Sequence, residues 1–518
     1  MSPRRRFMHG IGRRLGVAVA LLTMACGPTH HTTGDAGPRE TGDSGTSTIP
    51  PEGASASATV GASGGALTLG DLDLVIPPGA LESDVEITVT VTSEAVPGSF
   101  TGFSPVYRFE PAGTTFAAPV EVRLPFAGDA DTASIFWTRG EGETFVALPT
   151  RVESGQALTE TSHFSRAFVG TACTGSCCGR ANGDLDVLFM VDNSNSMTEE
   201  QASLASQIPR MAEVLATGDL DGDGVQDFPA LNSLRAGSVS SDMGTGGYTV
   251  PTCAASDFGD DGVLSTDGQP EPGCLASYPS YAELRAGDPP GSDAAFVDQV
   301  RCTAVLGTGG CGFEQQLDAT LKAITPSTSP LTFHAGTRGH ADGANAGFLR
   351  ADSVLATIVL TDENDCSASD PELFDPSSPT YGSTDLNLRC FAHEAGALHP
   401  ITRYVDGLRA LRSDPGDVIF ALVAGVPTDL VSPSPDYAAM LADPRMQEQV
   451  DPANPSRLQP SCDVPGRGLA FPPTRLVEVA RDHAGPSVVQ SICQDDFTAV
   501  IDAILSQVAR RVSGACEP

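Results

Sequence analysis

The chain has 518 residues, with 30 basic against 65 acidic side chains and a formal net charge of −35 at pH 7. That length exceeds one core and predicts two or three domains. A surface this acidic repels phosphate backbones, which excludes nucleic acid as a partner and leaves divalent cations and basic proteins as favoured company.

In chain order, residues 1–26 read as a targeting signal. Arg4, Arg5, Arg6, Arg13 and Arg14 precede an apolar run at 17–22, and Thr23-Met24-Ala25-Cys26 closes it. The run is too short to remain as a membrane-spanning helix. Small residues ahead of Cys26 resemble a bacterial lipobox, which implies an acylated Cys26 and a lipid-anchored protein of the outer membrane or cell surface; cleavage of an ordinary secretory signal is the alternative. Setting Cys26 aside leaves twelve of the 13 cysteines, an even number that suits disulfides in an oxidising compartment. Residues 27–56 are Gly, Thr, Ser, Asp and Pro with little to bury, a flexible linker.

Between 57 and 170 the pattern becomes period two. Short runs at 66–76, 85–92, 106–109, 120–124 and 133–137, punctuated by Gly and Pro, predict an all-β sandwich. The phrases Ile76-Pro77-Pro78-Gly79-Ala80-Leu81 and Val106-Tyr107-Arg108-Phe109-Glu110-Pro111-Ala112-Gly113 resemble those of ZU5-type domains. The region ends in His163-Phe164-Ser165. By that resemblance the tripeptide is a possible self-cleavage site, with His163 as base, Ser165 as nucleophile and the bond after Phe164 broken. The other reading has His163 beginning a last strand with Phe164 packed inside. Residues 171–182, with Cys173, Cys177 and Cys178, form a cysteine-rich junction read as disulfides rather than zinc ligands.

From 183 to 518, strands and helices alternate as in a doubly wound α/β domain. Asp186 opens an apolar run that ends in Asp192-Asn193-Ser194-Asn195-Ser196. Such a run reads as a strand buried on both faces, and ligands of parallel sheets bind where strands end. Residues 198–217 read as a helix with a Thr198–Gln201 capping box and a kink at Pro209. Residues 231–243 are a further strand, 313–321 a helix, 354–360 a second buried strand ending in Thr361-Asp362-Glu363, and 418–423 a third. Phe497, Val500, Ile501, Ile504, Leu505, Val508 and Val512 mark a final helix, with Asp495 and Asp496 at its start. Polar insertions near 245–293, 367–397 and 427–470 call for pinning. Nearest-neighbour disulfides would join Cys253 to Cys274, Cys302 to Cys311 and Cys366 to Cys390. Cys493 and Cys516 stand about 25 Å apart along a helix rising ~1.5 Å per residue, so Cys516 is expected back at the junction.

Small oxygens gathered at one point suit a hard divalent cation. Asp-x-Ser-x-Ser at 192–196 resembles the metal-ion-dependent adhesion site of von Willebrand factor type A domains. The resemblance implies Mg²⁺ held directly by Ser194 and Ser196, with Asp192 and Asp362 acting through water or hydrogen bonds. It also implies an open position for a carboxylate from an extracellular or envelope protein. The family's threonine is missing: Gly309-Gly310-Cys311-Gly312 stands in its place, leaving Thr308 or Glu314 as the substitute. Without one, the domain is structural and metal-free.

Asp219, Asp221, Asp223 and Asp227, with Gly224 for the turn and Val225 offering a carbonyl, resemble calcium loops of the EF-hand, dockerin and thrombospondin type 3 kind. The twelfth loop position is Ala230, so the bidentate glutamate is absent. Enzyme signatures fail: His393 and His399 are six apart, about 240° around a helix, and no phosphate loop or nucleophile elbow occurs. The expected function is cation-dependent protein binding, with self-processing at Phe164-Ser165 as the alternative.

Overall fold

The computed structural model describes residues 48–515 except 141, 143, 176, 270, 271, 290, 465–467 and 495. The targeting signal, Cys26, most of the 27–56 linker, Asp495 and Cys516 lie outside the described residues.

The first half is built from two antiparallel sheets. One runs Ser55–Val60, Val85–Val91, Tyr107–Glu110, Arg166–Thr171, Ser134–Thr138, Phe145–Leu148, with Thr101–Gly102 paired to Arg166–Thr171. The other runs Arg151–Glu153, Gln156–His163, Thr115–Pro125, Leu72–Ile76, Gly65–Leu69. Alternation explains the pairing. Ile87, Val89 and Val91 turn inward, while Thr88 and Thr90 exchange hydroxyl contacts with Ser57 and Ser55 across the strands. The inward faces meet around Leu74, Val122, Phe109, Trp137 and Phe164. The apolar run at 66–76 is two strands rather than one. Gly70, at φ +60°, turns the chain between Leu69 and Leu72, and the inward leucines continue on both sides of the hairpin.

The second half carries a six-stranded sheet in the order Ala282–Arg285, Ser233–Ser240, Asp184–Val191, Val354–Leu360, Val418–Ala424, Ser487–Ser491. All neighbours are parallel except the first pair. The run that opens at Asp186 is therefore central. Val187, Phe189 and Val191 face helices Thr198–Thr217, Ser292–Ala304 and Thr498–Val512, and Leu188 and Met190 face Gln316–Ile324, Ile401–Arg409 and Thr474–Asp482. Buried Asp186 is held by Arg350 (2.7 and 2.9 Å) and Ser353 (2.6 Å), which fixes the strand's start.

Several expectations shift. Edge strand Ala282–Arg285 and the start of helix Ser292–Ala304 lie inside the 245–293 insertion, and strand Ser487–Ser491 was not foreseen. Pro209 sits inside an unbroken 20-residue helix. That helix has no side-chain cap: Gln201 Nε2 donates to the carbonyls of Asp192 (2.7 Å) and Gly307 (2.9 Å) instead of closing a capping box. The helix expected from 313 begins at Gln316, leaving Glu314 in a loop.

Two of the expected disulfides exchange partners. The pairs are Cys253–Cys311 and Cys274–Cys302, with Cα separations of 4.0 and 5.7 Å. The insertion folds back over the sheet end, setting Cys253 on the 309–312 loop, while Cys274 packs on the helix that carries Cys302. Cys366–Cys390 is paired as expected, Cys462–Cys493 pins the third insertion, and Cys173–Cys178 closes the junction. Beside it Gly179 N–H donates to Gly514 O (2.7 Å) and Cys178 forms a backbone β-bridge with Ala515, so the residues just after the last helix lie at the junction. These disulfides fit an oxidising compartment, outside the cytoplasm. No described helix is long and apolar enough to cross a membrane.

The described residues form one unit. Gln226 and Ala230 hydrogen-bond to the backbone of Phe145 in the sandwich, and Arg139 donates to Ala216 O. Lys322, the one lysine of the chain, is fully buried. It contacts Asp261 and Thr337 Oγ1 (2.8 Å), between the rings of Phe258 and Phe333, and His340 Nε2 meets the other Asp261 oxygen at 3.0 Å.

Candidate functional site

Strand order reverses between Asp184–Val191 and Val354–Leu360, and the Asp-x-Ser-x-Ser motif leaves the sheet at that crevice. Asp192 N–H still donates to Leu360 O (2.9 Å), so its side chain is placed by the sheet itself. Fully buried, it accepts at Oδ2 from Thr361 Oγ1 (2.6 Å) and at Oδ1 from Ser194 N–H (2.8 Å) and Ser241 Oγ (3.4 Å). Ser194 and Ser196 place their hydroxyls 3.3 Å apart. Beside them Asp362 is 5% exposed, and its Oδ1 has no hydrogen-bond partner among the described residues.

Glu314 and Glu363 complete a group of four carboxyls with Asp192 and Asp362. Burial raises the pKa of all four. For Glu314, Asp362 and Glu363 the next influence is repulsion from a neighbouring carboxylate, and Glu363 is pushed up to about 7. Hydrogen bonds from Thr361, Ser194 and Ser241 pull Asp192 the other way. Desolvated, mutually repelling acids and an orphaned oxygen beside two hydroxyls fit a hard divalent cation.

A cavity of about 330 Å³ opens above the motif. Ser194, Ser196, Glu314 and Glu363 line it; Thr308 does not. Cys311 is buried and tied to Cys253, so it has no thiolate to offer. Sequence reasoning passed over Thr361, Ser241 and Glu363. Only Thr361 and Glu363 had a hint, as neighbours of Asp362.

The second acidic group lies on an exposed loop. Asp219 accepts from the N–H groups of Gly222 (2.7 Å) and Gly224 (2.9 Å), and Asp227 from Leu220 N–H (2.8 Å). Gly222 and Gly224, at φ +77° and +84°, supply the left-handed backbone the loop needs. Asp219, Asp221 and Asp227 each offer an oxygen within 4.8 Å of the others. Asp223 stands outside that trio, accepting from Val225 N–H (2.8 Å), and Val225 is exposed. Ala230, at the twelfth position, is buried in the sandwich core rather than turned to the loop.

At His163-Phe164-Ser165, Phe164 is fully buried among Phe109 and Phe116, and its carbonyl accepts from Gly113 N–H (3.0 Å). Ser165 Oγ meets Thr138 Oγ1 and Gly140 O, while His163 Nε2 lies 3.2 Å from Thr138 O. Among the described residues no hydrogen bond joins His163 to Ser165. Burial lowers the His163 pKa.

Residues 56–137 match the ZU5 domain family, within the first half's β-rich region. No curated protein matches the chain. Among solved structures, the pilus adhesin RrgA from Streptococcus pneumoniae is similar over 65% of this chain at 14% identity and a TM-score of 0.17. The chain spans 43% of that adhesin's length, and a likeness this loose carries no argument.

Proposed function

We propose that this chain is a cell-envelope protein that binds a partner protein through a divalent cation held at the carboxyl edge of its α/β sheet, as von Willebrand factor type A domains do. The observation that carries this reading is the orphaned Asp362 Oδ1 among four buried carboxyls and two hydroxyls. Ser194 and Ser196 would hold Mg²⁺ directly, and Asp192, already engaged by three donors, would act through water. Glu314 stands in for the family's threonine. When bound, the ion supplies a concentrated positive charge on which a partner's carboxylate can settle. The 219–227 loop would take Ca²⁺ as a local brace, the ZU5-like sandwich would serve as spacer, and Cys26 would carry the lipid anchor.

Isothermal titration of Mg²⁺ into the full chain and an Asp192→Ala variant tests this. One site in the parent that vanishes in the variant is expected. Equal heats from both, or none from the parent, would sink the reading and leave a structural envelope protein.

A further inference from the structure

The cavity above the motif has a one-sided charge. Its acidic lining is Glu314, Glu363, Asp365, Glu394 and Glu448, against Arg457 and Arg475. Both arginines are already engaged. Arg475 is paired with Asp365 (3.2 Å) and Glu394 (3.0 Å), and Arg457 with Asp451 (3.1 Å) outside the lining. Among the described residues Glu448 accepts from neutral donors alone, Asn364 (3.2 Å) and Thr474 (3.0 Å). Glu314, Glu363 and Glu448 have no ion-pair partner among the described residues. Beneath them Asp362, 5% exposed, leaves its Oδ1 without a hydrogen-bond partner among the described residues and faces the carboxyls of Asp192 and Glu363. One divalent ion balances only two of these charges. Phe313, Phe391 and Phe471 add an apolar wall.

We infer that the partner of this site inserts a basic side chain, a guanidinium or an ammonium, into the cavity beside the ion, with Glu448 and Glu363 as its acceptors. This rests on the reading that the sheet edge is a protein-binding site, and it adds the class of partner: a basic segment, held by charge against an acidic wall. The volume, about 330 Å³, suits one long side chain, whose stem would lie on the phenylalanines.

Ligand-observed NMR with N-acetyl-arginine amide and N-acetyl-aspartate amide on the full chain, with Mg²⁺ and with EDTA, tests the inference. The arginine compound is expected to bind, to weaken with salt, and to weaken about tenfold in Glu448→Gln, while Mg²⁺ titration of that variant is unchanged. Binding of the aspartate compound in preference, or of neither, overturns the inference. If Mg²⁺ binding stays Asp192-dependent in that case, the ion reading stands alone. If Mg²⁺ fails to bind, the EDTA arm still decides whether the acidic wall takes a cation.

Discussion

The two acidic constellations of this chain look equally rich in aspartate, yet their surroundings differ. At the 219–227 loop the carboxylates are exposed or half-exposed, and their own backbone N–H groups already occupy them. At the sheet edge the carboxyls are buried, face one another, and leave an oxygen unmatched. Water and the backbone relieve the first group; only a cation or protons relieve the second. Spacing in sequence finds both, but burial separates a turn that can do without an ion from a site that calls for one.

The sharpest way to break this comparison is Asp192→Asn, which keeps the shape and removes the charge. Mg²⁺ affinity is expected to fall about 10- to 100-fold, with calcium binding at the loop untouched, as read by calorimetry. Next, Mg²⁺ at a hundred times the parent's Kd is expected to add about 2.7 kcal/mol to the unfolding free energy of the parent and only about 0.4 to 1.4 kcal/mol to that variant, read from urea midpoints. A smaller effect is expected at the loop. Asp219→Ala removes the acceptor of two backbone N–H groups and should cost about 1 kcal/mol even in EDTA. A loss seen only with Ca²⁺ present would make the loop an ion site first and a turn second.

The smallest effect belongs to neither constellation. Burial lowers the pKa of His483, whose Nε2 donates to Val418 O (2.8 Å) while its buried Nδ1 has no partner among the described residues. The folded state keeps this ring neutral and the unfolded chain takes up the proton. Its stabilising contribution is therefore complete above about pH 6.5 and falls away as pH drops towards the lowered folded value. Urea midpoints of the parent and His483→Asn at pH 7.5 and 5.5, in EDTA, should show a larger acid loss in the parent.

Much of the architecture could be read from the chain because it rests on short-range pattern. The apolar runs before Asp192 and Asp362 stand as adjacent parallel strands, and the 3/4 stripe from Phe497 to Val512 is buried against the sheet. What escaped was decided at a distance. Glu314 and Glu363 meet across 49 residues, and the Cys253–Cys311 and Cys274–Cys302 pairs depend on how an insertion folds back. Edge strand Ala282–Arg285, with its alternating Glu and Arg, carries too little hydrophobic pattern to announce itself. Gln201 looked like a cap and instead ties the motif's backbone to the Gly307 loop, a role no local pattern encodes.

Every other cation of the chain is an arginine, and Lys322 is sealed between the 253–274 loop and the helix Gln316–Ile324. Apart from the chain's amino terminus, the folded protein therefore shows no primary amine to solvent. At Lys322 an amine-directed reagent would report on the parting of that loop and of the 333–337 segment from the helix. The chain carries its own gauge of local opening, and the rate at which Lys322 becomes reactive measures how firmly the insertion stays shut.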